Sequence, residues 1–305
     1  MGFQLYKRLA GIISLLALAG LLASCSAAKI FYNQAPDLAY WYFDGYVDFN
    51  EAQSLQIKGD LNRLQAWHRQ TQLAGYVEIL QKLQQQMPSD LDAAQTCMIW
   101  TDARRRLMLV TDQAEPAIAT LVSTLSASQL EKLEQKFAKG NASYRKDYIE
   151  SKPESSRNKR YKQAVSRAEK LYGGLDEKQL NFIDQRVEQS SFNARLSYAE
   201  RLRRQTDMLQ TLRTLMAGQT SPEKIRSGMH TLIARTFDSP NPAYRQYIEK
   251  LTQESCHTVT DLHNSTTPAQ RKEAVKTLIS YEQDLGVLIG QNLAAQPRLP
   301  RVAGP

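Results

Sequence analysis

The chain is poor in the residues that break or staple a fold. Glycine and proline number 14 and 11 in 305 residues, below the roughly 12% that the two supply together on average. That scarcity excludes collagen-like, glycine-rich and proline-rich disordered classes, and three cysteines are too few for a small disulfide scaffold. A mean hydropathy of −0.48 excludes a chain that crosses a membrane many times. Catalytic signatures are scarce too. Gly-x-Ser-x-Gly, His-Glu-x-x-His and a phosphate-binding glycine loop do not occur. Ser-x-x-Lys occurs at Ser26/Lys29, Ser143/Lys146, Ser156/Lys159 and Ser221/Lys224. Four copies with no Ser-Asp-Asn or Lys-Thr-Gly partner mark chance. Cys256, His257 and His263 do not form a metal set, because adjacent positions point to different helix faces and a fourth ligand is missing.

What is present begins at the N-terminus. Lys7 and Arg8 precede an apolar run of 14 residues, Leu9 to Leu22, too short for the ~20 that cross ~30 Å of hydrocarbon but right for a secretory leader. Leu22-Ala23-Ser24-Cys25 then fits the bacterial lipobox, in which small residues enter a peptidase groove and the cysteine thiol takes a diacylglyceryl group. Cys25 is the expected lipidation site, carrying palmitate-type chains that together anchor more firmly than one chain does. Ser26 stands where Asp would signal inner-membrane retention, so the expected place is the outer membrane, facing the periplasm. Cleavage after Ser24 removes Lys7 and Arg8 and no acidic residue, so the net charge falls from +8 to about +6. In that compartment the acidic partners are anionic lipid, glycolipid phosphate and peptidoglycan carboxylates, with no nucleic acid. Arg104 to Arg106, Arg157 to Arg160, and Arg201 with Arg203 and Arg204 are available to meet them, although the simpler reading is solvated helix faces.

Helical spacing covers most of the rest. Apolar residues recur along Glu51 to Met87, from Leu130 to Tyr148, along Glu177 to Ala217 as one long element, and along Val275 to Ile289. Sustained period-two alternation is lacking, so strands are not expected. A short motif repeats at Phe49 to Gln53, Leu125 to Gln129 and Leu175 to Gln179, and without its apolar lead at Thr267 to Gln270. Its first polar residue suits an N-cap and its glutamine reaches back to the cap's own N–H, a device for starting helices.

Eight aromatics fall between Phe31 and Phe49. Phe31, Tyr32, Trp41, Tyr42 and Tyr46 suit either a belt at the membrane interface or packing back onto the bundle. Asp44 and Asp48 share this stretch and read as cap and surface residues. Once Cys25 is acylated, Cys97 and Cys256 are the remaining thiols. An oxidising periplasm suggests a disulfide between them, the alternative being two buried, separate cysteines.

Phe31-Tyr32-Asn33, Trp41-Tyr42-x-Asp44-x-Tyr46-Val47-Asp48, Gln53, Trp67-His68-Arg69, Phe137 to Asn141, Tyr144-Arg145-Lys146 and Tyr172 to Leu175 resemble a DUF6279-like family of uncharacterised proteobacterial lipoproteins, along essentially the whole mature chain. The resemblance implies a lipid-anchored, all-helical protein and carries no activity. The glutamine motif is also similar to the Leu-Thr-x-x-Gln signature of small periplasmic chaperones such as Spy and CpxP, with Ser, Asp or Asn in place of Thr.

The expected fold is all-α, an elongated bundle of about seven to nine helices without a β-sheet. Residues 1–24 read as a cleaved leader, 25–50 as the lipidated, aromatic-rich segment, 51–296 as the helical domain and 297–305 as a disordered tail. The expected function is a structural or protein-interaction role in the envelope, without enzymatic activity, cofactor or metal. An ATP-independent chaperone is the alternative, and an enzyme acting on cell wall or lipid a more distant one.

Overall fold

The computed structural model describes residues 28–217 and 220–295. The leader at 1–24, Cys25 and the tail at 297–305 lie outside the described residues. Among the described residues twelve helices follow one another and no strand occurs. They are α1 (28–33), α2 (Ala35–Val47), α3 (Glu51–Thr71), α4 (Leu73–Gln86), α5 (Ala93–Val122), α6 (Ala127–Tyr148), α7 (Pro153–Tyr172), α8 (Glu177–Gln189), α9 (Ala194–Met216), α10 (Pro222–Phe237), α11 (Pro242–Asn264) and α12 (Pro268–Ala295).

The all-α expectation holds, and the count of seven to nine is too low. Two elements read as continuous are each two helices. Glu51 to Met87 breaks at Gln72, which has φ −108° and belongs to neither helix. Glu177 to Ala217 breaks at 190–193, where Ser190 is extended and the Asn193 side chain caps α9 by accepting from Leu196 N. Neither break carries glycine or proline, so apolar spacing runs through both and hides them.

Helix starts follow the local chemistry. Complete capping boxes stand at Asn50/Gln53, Asp92/Gln95, Ser126/Gln129 and Asp176/Gln179. Proline opens α7, α10 and α11, where its missing N–H is no loss. Gly173 ends α7 at φ 76°, a left-handed backbone that suits glycine.

Two hydrophobic cores result. One gathers Val122 of α5, Leu130 and Leu133 of α6, Leu209 and Leu212 of α9, and Ile225, Met229 and Leu232 of α10. The other gathers Met87, Leu91, Ala168 and Tyr172 of α7, Ile183 of α8, Leu262 of α11, and Ala274 and Leu278 of α12. Helix α5, about 45 Å long at 1.5 Å per residue, packs against α10 of the first core and α11 of the second. A disulfide between Cys97 of α5 and Cys256 of α11, with Cα atoms 5.3 Å apart, fastens that second contact. Beside it the Thr96 and Thr260 hydroxyls meet at 2.8 Å, both buried.

Candidate functional site

The aromatic segment of α1 and α2 divides by face. Tyr32 reaches inward, its hydroxyl 2.9 Å from His68 Nδ1. Tyr40 donates to Ser54 Oγ at 2.9 Å, and Tyr46 sets its ring edge against Phe137 with centroids 6.3 Å apart. Phe31, Trp41 and Tyr42 turn outward, 67%, 66% and 61% exposed, and Ile30, Leu38 and Phe43 are exposed with them. Leu38, Trp41 and Tyr42 follow i, i+3, i+4 spacing and so share one helix face. Tyr32 and Tyr46 therefore pack onto the bundle, while Phe31, Trp41 and Tyr42 are left exposed.

The helices carrying this face are fixed from behind. Lys29 pairs with the buried Asp284 of α12 at 3.2 Å. Asn33 accepts from Arg69 at 2.6 Å, and Pro36 is buried in the first turn of α2. Asp48 ends α2 with φ 62° and pairs with Lys132 at 2.7 Å, while Asp44 accepts from Phe49 N at 2.9 Å. The two carboxylates thus cap and pair.

The repeated capping motifs come together two by two. Gln53 and Gln129 exchange side-chain hydrogen bonds in one buried node, and Gln179 and Gln270 do so in another, at 2.9 and 2.8 Å. Each glutamine also holds the loop that precedes its partner's helix. Gln53 donates to Thr124 O and Gln129 to Asp48 O, while Gln179 donates to Ser265 O and Gln270 to Gly174 O. The fifth capping glutamine, Gln95, caps only its own helix start at Asp92.

Other sequence candidates disperse. Cys256 is in the disulfide, His257 is exposed, and His263 is fully buried, accepting at Nδ1 from Tyr172 at 3.1 Å and donating from Nε2 to Ser89 O at 2.9 Å. Burial pulls the His263 imidazole below its usual pKa and pushes the Tyr172 hydroxyl up to about 12. Ser221 of one Ser-x-x-Lys match caps α10. Among the described residues no group of three or more His, Cys, Asp or Glu side chains is placed to hold a metal ion.

The arginine clusters are less solvated than their composition suggests. Arg104 donates to Phe237 O, and Arg106 donates to Gly75 O at 3.1 Å while lying over the Tyr76 ring. Arg157 pairs with Asp184 and Glu188 of α8, and Arg201 donates to Asn141 of α6 at 2.7 Å. Sequence reasoning missed the centre of the third cluster. Glu200, 4% exposed, accepts from both Arg203 and Arg204 and from Ser239, and Asp207 joins Arg203 to Arg235 of α10. The spacing Glu200, Arg203, Arg204 is the i, i+3, i+4 signal that finds it.

No helix among the described residues is long and apolar enough to cross a membrane. In comparisons with known proteins, no curated protein and no solved structure matches the chain. A family of unknown function, DUF6279, matches residues 45–232, more than half of the chain. The match takes in both glutamines of the first node but only Gln179 of the second, and Phe31 to Tyr42 precede it. The chain belongs to the family of unknown function DUF6279.

Proposed function

We propose that the protein is a lipid-anchored envelope component, held at the periplasmic side of the outer membrane through Cys25, with a structural or binding role in place of catalysis. One observation carries this reading. The outward face of Phe31, Leu38, Trp41 and Tyr42 begins six residues after Cys25. Six residues span at most about 20 Å even when fully extended, so an acylated Cys25 keeps the face within reach of the bilayer. Aromatic side chains with an apolar body favour that boundary, and the disulfide suits an oxidising compartment. The test is the full chain expressed with its own leader in a Gram-negative host. Mass spectrometry should find acyl chains on an N-terminal peptide beginning at Cys25, and Cys25→Ser should leave the outer-membrane fraction. An unmodified Cys25, or outer-membrane recovery unchanged by Cys25→Ser, overturns it.

A second reading, an ATP-independent chaperone, draws on a different surface. Met98, Trp100, Leu107, Met108 and Leu109 of α5 are all exposed, and methionine-rich apolar surface suits varied clients. The paired glutamines add the likeness to the Leu-Thr-x-x-Gln chaperones. Suppression of aggregation of an unfolding client at equimolar ratio, lost in Trp100→Ser with Leu107→Ser, is the expected result. No suppression by the unsubstituted chain removes this reading.

A further inference from the structure

An open groove of about 820 Å³ lies between α7, α8 and α11, within the about 300–1,000 Å³ usual for small-ligand sites. Its origin is local. Ala164 and Ala168, four apart on α7, line it with methyl groups alone. Leu171 of α7 and Val187 of α8 complete an apolar floor, with Ile183 and Leu262 of the second core buried beneath it.

The rim is cationic. Arg160, Arg167, Arg186 and Lys250 line the groove against two carboxylates, and both carboxylates are engaged. Asp261 pairs with Arg186 at 2.6 Å, and Glu254 accepts from the backbone N–H and the hydroxyl of Ser191. Among the described residues Arg160, Arg167 and Lys250 form no ion pair. Arg160 donates to Val187 O at 3.0 Å, lies over the Phe192 ring, and keeps its Nε buried without a partner.

These cations are not spread evenly. Arg160 bonds the carbonyl of Val187 near the end of α8, and Glu254, one turn past Lys250, holds Ser191 just beyond that end. Arg160 and Lys250 therefore share one end of the groove. The floor runs away from them toward Ile183, Tyr172 and Leu262 of the second core.

We propose that this groove binds a fatty acid, its carboxylate at the Arg160 and Lys250 end with Arg167 on the rim, and its hydrocarbon chain along the partly exposed Ala164, Leu171 and Val187. An inorganic anion would leave the floor uncovered. A peptide would bring backbone N–H and C=O groups that an apolar floor cannot satisfy. A hydrocarbon chain needs no such partners, and the unpaired cations select the anionic head.

The test uses the full chain carrying Cys25→Ser, which removes the anchor and makes the outcome independent of membrane attachment. Laurate, kept below micelle-forming concentrations, should bind at one site by titration calorimetry. The double variant Arg167→Gln with Lys250→Gln alters two exposed side chains and should bind at least tenfold more weakly. The pair Arg167→Lys with Lys250→Arg should retain affinity, and Ala164→Leu, which fills the floor, should abolish binding without lowering the melting temperature by more than a few degrees. Dodecylamine binding within threefold of laurate, acetate displacing laurate, or unchanged affinity in the double variant overturns the proposal. So does capture of an acidic amphipathic peptide by a groove that refuses laurate, which would make it a protein-docking face.

Discussion

Gln53 and Gln129 donate to one another, Gln129 Nε2 to Gln53 Oε1 at 2.6 Å and Gln53 Nε2 to Gln129 Oε1 at 3.3 Å, while each Oε1 also accepts from the backbone N–H of its own cap residue. Two helix starts 76 residues apart are thereby closed on each other with little water present, Gln53 being 2% and Gln129 8% exposed. Replacing one member strands the other's buried amide, which costs about 1–3 kcal/mol for each unsatisfied group. Gln129→Ala should therefore lower unfolding free energy by about 2–3 kcal/mol, and Gln129→Glu by more, because a carboxylate cannot donate to Asp48 O. A double-mutant cycle with Gln53→Ala, read by urea denaturation, should show a coupling of at least about 1 kcal/mol. Strict additivity would show that the two caps act independently. The same substitutions at Gln179 and Gln270 should repeat the pattern, with a smaller effect at Gln270, which is only half-buried.

The glutamines show where sequence reading succeeds and stops. Cap and glutamine lie three residues apart, so the device is local and visible at Gln53, Gln129, Gln179 and Gln270. Its pairing across 76 and 91 residues has no local signal. Likewise the density of aromatics from Phe31 to Phe49 was visible, but the division of Tyr32 from Phe31 depends on where His68 stands. The disulfide is legible from the cysteine count together with the oxidising compartment expected of a lipobox. The helix number did not follow, because Gln72 and the 190–193 break leave the apolar spacing undisturbed. The groove arises from two alanines whose smallness matters only once α8 and α11 are beside them.

The Cys97–Cys256 bond joins residues 159 positions apart. A loop of that length gives about 5 kcal/mol of stabilisation as an upper estimate from chain entropy. Cys97→Ser with Cys256→Ser should unfold at lower urea and lower temperature than the oxidised chain. Dithiothreitol should shift the unsubstituted chain toward the double variant and leave the variant unmoved. Non-reducing digestion should recover the linked peptides; free thiols at both positions would remove the bond.

Acid should act in two windows. Burial alone would raise the Glu200 carboxyl, but hydrogen bonds from Arg203, Arg204 and Ser239 override it and hold the group below its ordinary 4.5. For Asp207 the Arg235 hydrogen bond comes first, and the group sits below its ordinary 3.8. A carboxyl depressed in the folded state contributes stability above its unfolded pKa and loses it as pH falls through the folded value. Stability should therefore drop below about pH 4, less steeply in Glu200→Gln. His68 and His263 are lowered first by burial. Their unfolded forms take up protons more readily, so stability should also fall as pH passes downward through about 6.5. His68→Gln, which leaves an acceptor for the Tyr32 hydroxyl, should flatten that upper step. Urea midpoints measured from pH 8 to pH 3 check both windows, and a single step near pH 4 would show that the histidines are not linked to folding.

The inward and outward side chains of α1 and α2 give opposite expectations when truncated. Trp41 is two-thirds exposed, and surface substitutions of that kind usually stay within about 0.5 kcal/mol. Tyr40 donates to Ser54 and packs near Phe49, and Tyr46 meets Phe137 beside the first core, so truncating either removes contacts worth about 2–4 kcal/mol. Tyr46→Ala should accordingly lower the unfolding free energy, while Phe31→Ser with Trp41→Ser should leave it nearly unchanged. With acylation removed by Cys25→Ser, the order should reverse on vesicles of phosphatidylethanolamine and phosphatidylglycerol. Tyr46→Ala should bind as the unsubstituted face does, and the outward double variant should bind at least tenfold more weakly. Equal vesicle binding by all three chains would show that the exposed face does not meet lipid, whatever the fate of Cys25.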